Sequence, residues 1–78
     1  MSKHVEYRDY TIRSTPLPLL QNGEWKPEIV IAWERDGTVT ALPFWDNTTY
    51  TTEEAADNHG IKLAQDIIDG KAPGLSVN

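Results

Sequence analysis

Few side chains in this sequence have the type and spacing that chemistry requires. The only histidines are His4 and His59, and there is no cysteine to supply a thiolate or a disulfide. His59 follows Asp57 by two residues, and side chains two apart on a helix do not face each other. We therefore expect His59 to be a solvated helix residue, and we predict no metal site.

Neither the hydroxyl groups nor the carboxylates form a recognisable catalytic set. None of the serines lies in a strained nucleophile-elbow motif; they are Ser2, Ser14 and Ser76. The threonines at 48, 49, 51 and 52 precede a helical pattern, where capping explains them. The acids at 53, 54 and 57 complement the positive end of a helix dipole. We predict a protein that is not an enzyme, with no catalytic residue and no cofactor.

Size and charge limit the remaining classes of function. Seventy-eight residues make one domain, 1–78. Seven basic and twelve acidic residues give a net charge of −5, which disfavours contact with nucleic acid. The five glycines are dispersed, so no phosphate-binding loop is indicated. The N-terminal residues lack the apolar run of a signal peptide, and no stretch has the length of a membrane span. We expect a cytoplasmic protein with no membrane contact.

One amphipathic helix is well delimited, and we predict it over residues 52–69. Thr51 is the expected N-cap and Glu54 stands at capping-box spacing. Gly70 suits a left-handed C-terminal cap, and Pro73 prevents continuation. The apolar stripe consists of Ala56, Leu63, Ala64 and Ile67, flanked by Ile61 and Ile68. Gly60 lies within that stripe, where it is either a point of close approach or simply tolerated.

Three segments have the composition and alternation of β-strands: 6–14, 25–34 and 38–44. The intervening stretch 15–24 contains two prolines and Asn22-Gly23, which indicate a long irregular loop or an extended arm. The segment 72–78 after the helix is predicted to be a flexible tail.

Asp36-Gly37 is a strong signal for a two-residue hairpin turn between the last two strands. That turn would pair Ile31 with Leu42 and Ile29 with Phe44, placing the large apolar groups on one face. A three-residue loop with Gly37 as a bulge would instead pair Ile31 with Ala41 and divide those groups between the two faces. We favour the first register. Pro43 then falls at a position that makes no hydrogen bond to the neighbouring strand.

These elements predict an α+β fold, a three-stranded antiparallel meander with one C-terminal helix packed on one face, β-β-β-α. The face opposite the helix would carry a small apolar patch, consisting of Val30, Ala32, Val39, Ala41 and Trp45. Exposed aromatic residues are common anchors of protein interfaces. We therefore predict a protein-interaction or accessory module, with an unknown protein partner or a homodimer. The alternative is that the tail or the 15–24 segment covers this patch.

The sequence also resembles a group of small bacterial proteins of unknown function. The resemblance is carried by "YRDYTI", "W-x-P-x-I-x-I", "PF", "Y-T-T-E-E-A" and "IIDGKAPGLSV", in that order. The topology is similar to the double-stranded RNA-binding fold without its first helix, which makes nucleic-acid binding the alternative function. In that fold a lysine cluster at the start of the last helix meets phosphate. Here the corresponding stretch reads "TTEEAADN", which would repel phosphate.

Overall fold

The computed structural model describes residues 3–77 and contains an antiparallel sheet covered on one side by a helix. The chain order is β1 (Lys3–Tyr7), β2 (Tyr10–Ser14), β3 (Leu17–Pro18), β4 (Trp25–Lys26), β5 (Glu28–Arg35), β6 (Thr38–Trp45) and α1 (Glu53–Ile68). The main sheet has the strand order β1-β2-β5-β6, and β3 and β4 form a separate two-stranded sheet. The predicted α+β class with one C-terminal helix is confirmed. The predicted three-stranded meander is wrong, because the described residues form six strands in two sheets.

The hydrophobic core lies between α1 and the main sheet. Its buried members are Ile12, Ile29, Ile31, Ala64, Ile67 and Val77. Tyr10 and Trp33 pack at its margin with their ring centroids 5.5 Å apart, edge to face. Strands β2 and β5 lie beneath the helix, whereas β1 and β6 form the two edges of the sheet.

The turn between β5 and β6 has the favoured register. Asp36 and Gly37 both have positive φ, 55° and 81°, as a two-residue turn of the primed type requires. Ile31 therefore pairs with Leu42, and Ile29 pairs with Phe44. The alternative pairing of Ile31 with Ala41 does not occur. The prediction that the large apolar side chains of these strands share one face is confirmed.

The predicted strand over residues 6–14 is wrong, because the chain reverses in its middle. Arg8 and Asp9 have φ values of 50° and 68°, so a two-residue turn joins β1 to β2. No glycine marks this turn in the sequence. Contacts with the end of the helix help to hold it: the hydroxyl of Tyr7 donates to Asp69 at 2.6 Å, and Arg8 Nε lies 3.0 Å from the same carboxylate.

The proline-rich segment is an extended arm with regular hydrogen bonding. Residues 15–26, which we call the arm, run out through β3 and return through β4. The predicted strand 25–34 is divided at Pro27, because proline has no N–H for a continuous ladder. At the tip, Leu19 N donates to Glu24 O at 2.8 Å, and Gly23 N donates to Leu19 O at 3.0 Å.

The helix is one residue shorter at each end than the predicted range. Its N-cap is Thr52, whose side chain accepts from Ala55 N at 3.1 Å, so the predicted capping box of Thr51 and Glu54 is wrong. Thr52 takes the extended conformation that a cap needs, which places Ala55 rather than a carboxylate three residues later. At the other end Gly70 has a φ of 76°, and Lys71 N donates to Asp66 O at 2.8 Å, as in a Schellman motif.

The residues after the helix return to the core. Val77 is buried there beside Ile67, although it belongs to the segment predicted to be a flexible tail. Asn78, the last residue of that predicted tail, lies outside the described residues, as does Ser2. Among residues 3–77, no helix is both long enough and apolar enough to pass through a bilayer.

Gly60 is the point at which the helix approaches the sheet most tightly. A Cβ built on Gly60 would lie 3.1 Å from Ile29 Cγ2, 3.4 Å from Ser14 Oγ and 3.5 Å from Pro27 Cβ. All three neighbours are buried, so none has free space into which to move. Glycine therefore permits an approach that any branched side chain would prevent.

We expect Gly60→Val to destabilise the fold by about 1–3 kcal/mol, because the added Cβ and its two methyl groups would force the helix away from β5. The matched control is Asn58→Val, since Asn58 is exposed on the same helix. The control should change the free energy of unfolding by less than about 0.5 kcal/mol. Urea denaturation measures both values. Equal losses of stability in the two variants would show that residue 60 does not need to be glycine for the helix to approach the sheet.

Candidate partner-binding face

The face of the main sheet opposite the helix, which we call the open face, is set by the strand register. Residues alternate between the two faces of each strand, so every second side chain points away from α1. The open face carries His4, Glu6, Thr11, Arg13, Glu28, Val30, Ala32, Glu34, Val39, Ala41, Pro43 and Trp45. The structure thus brings all five predicted partner-binding residues onto one surface.

The apolar part of the open face follows β5 and the edge strand β6. Val39 is 68% exposed and Trp45 is 57% exposed, and Ala41 between them is also exposed. Val30 and Ala32 are half-buried, because β5 has neighbouring strands on both sides. These five side chains form a continuous apolar strip.

The tail and the arm both approach the Trp45 end of this strip. Val77 packs into the core on the helix side, whereas Leu75 of the tail lines a groove with Trp45 and Pro43. Lys26 of the arm lies beside the Trp45 ring, and Leu20 at the tip of the arm is 97% exposed. Val39, Ala41 and Trp45 are exposed, so neither segment buries them.

Charged groups of both signs surround the apolar strip. Arg13 Nε donates to His4 Nε2 at 3.0 Å, which uses the unprotonated nitrogen of the imidazole. Glu28 and Glu34 stand at the two ends of β5. At the Trp45 end, Lys26 Nζ lies 5.9 Å from the centroid of the indole ring. An apolar centre with a charged rim is the usual composition of a protein–protein contact surface.

The backbone of β6 has a free edge along the same strip. In an antiparallel pair the N–H and C=O groups of alternate residues point away from the neighbouring strand. Counting from the turn, these outward residues are Val39, Ala41 and Pro43. Pro43 has no N–H, so it interrupts the row of donors and blunts the edge, as the sequence predicted.

A groove lies where β6 ends. It has a volume of about 220 Å³ and is lined by Pro43, Phe44, Trp45 and Leu75, which are all uncharged. Leu75 comes from the segment after the helix, so the groove runs between the edge of the sheet and the tail. We call it the terminal groove.

One hydroxyl and one carboxylate form a buried pair that sequence reasoning missed. Ser14 Oγ donates to Asp57 Oδ1 at 2.6 Å, and both side chains are buried between β2 and α1. The sequence predicted only that Asp57 complements the positive end of the helix dipole. The alternation of side chains along β2 could have predicted the burial of Ser14, because Ser14 lies on the same face of the strand as Ile12 and Tyr10. The pair has no access to a substrate, so it joins the helix to the sheet and does not form a nucleophile.

His59 behaves as an exposed helix residue whose ring stacks on Tyr50, with centroids 4.3 Å apart. Burial, and to a lesser extent the nearby carboxylate of Asp46, raises the pKa of the Tyr50 phenol above its ordinary value. Within residues 3–77, no three histidine or acidic side chains stand close enough to hold a metal ion.

No protein-family model matches the chain, and neither the curated proteins nor the solved structures include a match. The likeness to the double-stranded RNA-binding fold is therefore limited to an antiparallel sheet with one C-terminal helix, and the site must be interpreted from its own residues.

Removing the hydroxyl of Ser14 should destabilise the fold. Ser14→Ala leaves the Asp57 carboxylate without its hydrogen bond, and we expect a loss of about 1.5–3 kcal/mol in the free energy of unfolding. In the Asp57→Ala background, Ser14→Ala should lower the free energy of unfolding by much less, because the carboxylate that accepts the hydrogen bond is already absent. A double-mutant cycle measured by urea denaturation gives the coupling energy. Additive effects would show that the hydrogen bond does not stabilise the fold.

Tyr50 should also make stability depend on pH in the alkaline range. Because the folded state raises the pKa of its phenol above the ordinary 10.0, the folded chain holds that proton more tightly than the unfolded chain does. The resulting stabilisation is complete below pH 10 and is lost as the pH rises through the folded-state pKa. Urea denaturation across this range should show a shallower loss of stability in Tyr50→Phe. Identical slopes in the two proteins would contradict the prediction.

Proposed function

We propose that this protein is a non-catalytic protein-interaction module, and that its open face binds a protein partner. The proposal rests mainly on one observation. The apolar strip that ends at Trp45 lies on the side of the sheet that the core does not use, and Val39, Ala41 and Trp45 are exposed there. The strip is a contact surface, and its charged rim orients the partner.

The shape of the strip suits a partner that lies along β6. Val39 and Ala41 present exposed side chains, and their backbone N–H and C=O groups point outward at the same edge. A partner can therefore meet side chains and backbone groups together along the first half of the strand. Trp45 offers a large aromatic surface at the other end, beyond the interruption at Pro43.

Charge weighs against nucleic acid as the partner. The open face carries Arg13, but Glu28 and Glu34 stand on the same surface, and the chain as a whole has a net charge of −5. The first turn of α1 contains Glu53 and Glu54, where a phosphate-binding helix would present basic residues. A protein surface meets no such electrostatic penalty.

Affinity capture with matched variants tests the proposal. We expect the double variant Val39→Lys with Ala41→Lys to bind the captured partner at least about tenfold more weakly, because two charges would be buried in the contact. Both residues are exposed, so the melting temperature should change little. The control is Thr51→Lys with Asn58→Lys, which adds the same charge on the helix side.

The captured partner should therefore be retained by the control and lost with the open-face variant. Loss of the captured partner with the control variant alone would place the contact on the helix side and would refute the proposal. Enrichment of nucleic acid in place of a protein, reduced by neither variant, would support the alternative function instead.

A further inference from the structure

We propose that two copies of this chain associate by exchanging their arms, with Leu20 of each copy seated in the terminal groove of the other. This surface shares Trp45 and Pro43 with the open face but otherwise differs from it. Variants of the residues that the two surfaces do not share separate this inference from the partner proposed above.

The arm has the properties of a preformed docking element. Leu20 is 97% exposed at its tip, and Leu17 in the same arm is also exposed. The tip is closed by backbone hydrogen bonds, and the base is fixed because Thr15 N donates to Glu28 O at 2.9 Å. Binding an already ordered arm loses little conformational entropy, which favours association through it.

The returning strand of the arm is fixed to the rest of the molecule as well. Trp25 and Tyr50 exchange two backbone hydrogen bonds, of 2.7 and 2.8 Å. The arm therefore cannot fold back to bring Leu20 into the terminal groove of its own chain without breaking this bridge. Leu20 of a second copy can occupy the groove instead.

The terminal groove fits the tip in size and in charge. It is an open groove of about 220 Å³, which has room for a leucine side chain. Residues 14–23 carry no charged side chain, and neither do residues 37–45 nor residues 72–77. Contact between these segments lets two copies with a net charge of −5 each meet without opposing like charges.

The base of the arm and the terminal groove lie at the same end of the molecule, which allows two copies to exchange arms. Lys26 in the returning strand of the arm lies beside the Trp45 ring, and Asp46 N donates to Pro27 O at 3.1 Å. Two copies placed end to end about a two-fold axis can therefore each insert an arm into the groove of the other. Such an exchange gives a closed dimer, whereas an arm and a groove at opposite ends of the molecule would join successive copies into a filament.

Sedimentation equilibrium of the full chain tests this arrangement. Because the docking surface is small, we expect a weak dimer with a dissociation constant on the order of 100 µM. Leu20→Asp should raise that constant at least tenfold, since it places a charge in the groove. The control Gln21→Asp adds the same charge at the neighbouring residue and should leave the constant within about twofold.

Mixing two variants provides the decisive measurement. Leu75→Asp should abolish dimerisation by spoiling the groove, but it leaves the arm intact, whereas Leu20→Lys does the reverse. In an equimolar mixture the heterodimer keeps one unchanged contact, and its other contact places the new lysine of one chain against the new aspartate of the other. We therefore expect heterodimers that neither variant forms alone. The open-face variant Val39→Lys with Ala41→Lys should still dimerise, which separates this inference from the proposed function.

A second readout covers the case in which Leu75→Asp does not fold. The chain has no cysteine, so Gln21→Cys can carry a single spin label at the tip of the arm. When this protein is mixed with isotope-labelled unmodified chain, we expect NMR broadening at the amides of Phe44, Trp45 and Leu75. A monomer throughout the concentration range, a dimer that survives Leu20→Asp, or broadening confined to other amides would overturn the inference.

Discussion

The two-residue turn at Asp36 and Gly37 determines which side chains face the helix. Side chains alternate with a period of two along a strand, so shifting the β5–β6 register by one residue would move every side chain of β6 to the opposite face. Leu42 and Phe44 would then point away from the helix, and Val39, Ala41 and Trp45 would point towards it. The positive φ values at the turn prevent that shift. The core and the open face are thus two consequences of one local backbone constraint.

The difference between the two hairpins shows how far sequence alone could predict the fold. Asp36-Gly37 has a glycine where positive φ is needed, so both the turn and its register could be predicted. Arg8-Asp9 adopts the same kind of turn with two residues that rarely take positive φ. It is supported from elsewhere in the chain, because Asp69 at the end of the helix accepts from Tyr7 and pairs with Arg8. A turn stabilised by contacts so distant in sequence has no local signal.

The contact between helix and sheet likewise has one part that the sequence predicts and one part that it does not. The apolar stripe of α1 could be predicted, because it follows from helical periodicity, whereas the sequence left open whether Gly60 within it marks a close approach or is simply tolerated. The buried hydrogen bond beside Gly60 could not be predicted with equal ease. Ser14 and Asp57 are polar, and each has an ordinary explanation at the surface. Gly60 has no side chain, so the helix can lie close to β2, and this close approach buries both groups. A buried carboxylate needs a hydrogen-bond donor within reach, and Ser14 supplies it.

The open face could be predicted as a group of residues because it depends only on parity within β5 and β6. The arm could not be predicted in the same way, since two prolines allow either an irregular loop or an extended excursion. Its order comes from the pairing of β3 with β4 and from the bridge between Trp25 and Tyr50. That bridge also explains why Leu20 stays exposed. An arm fixed at both sides of its base holds its tip away from the core, so the apolar surface at that tip is accessible to another molecule.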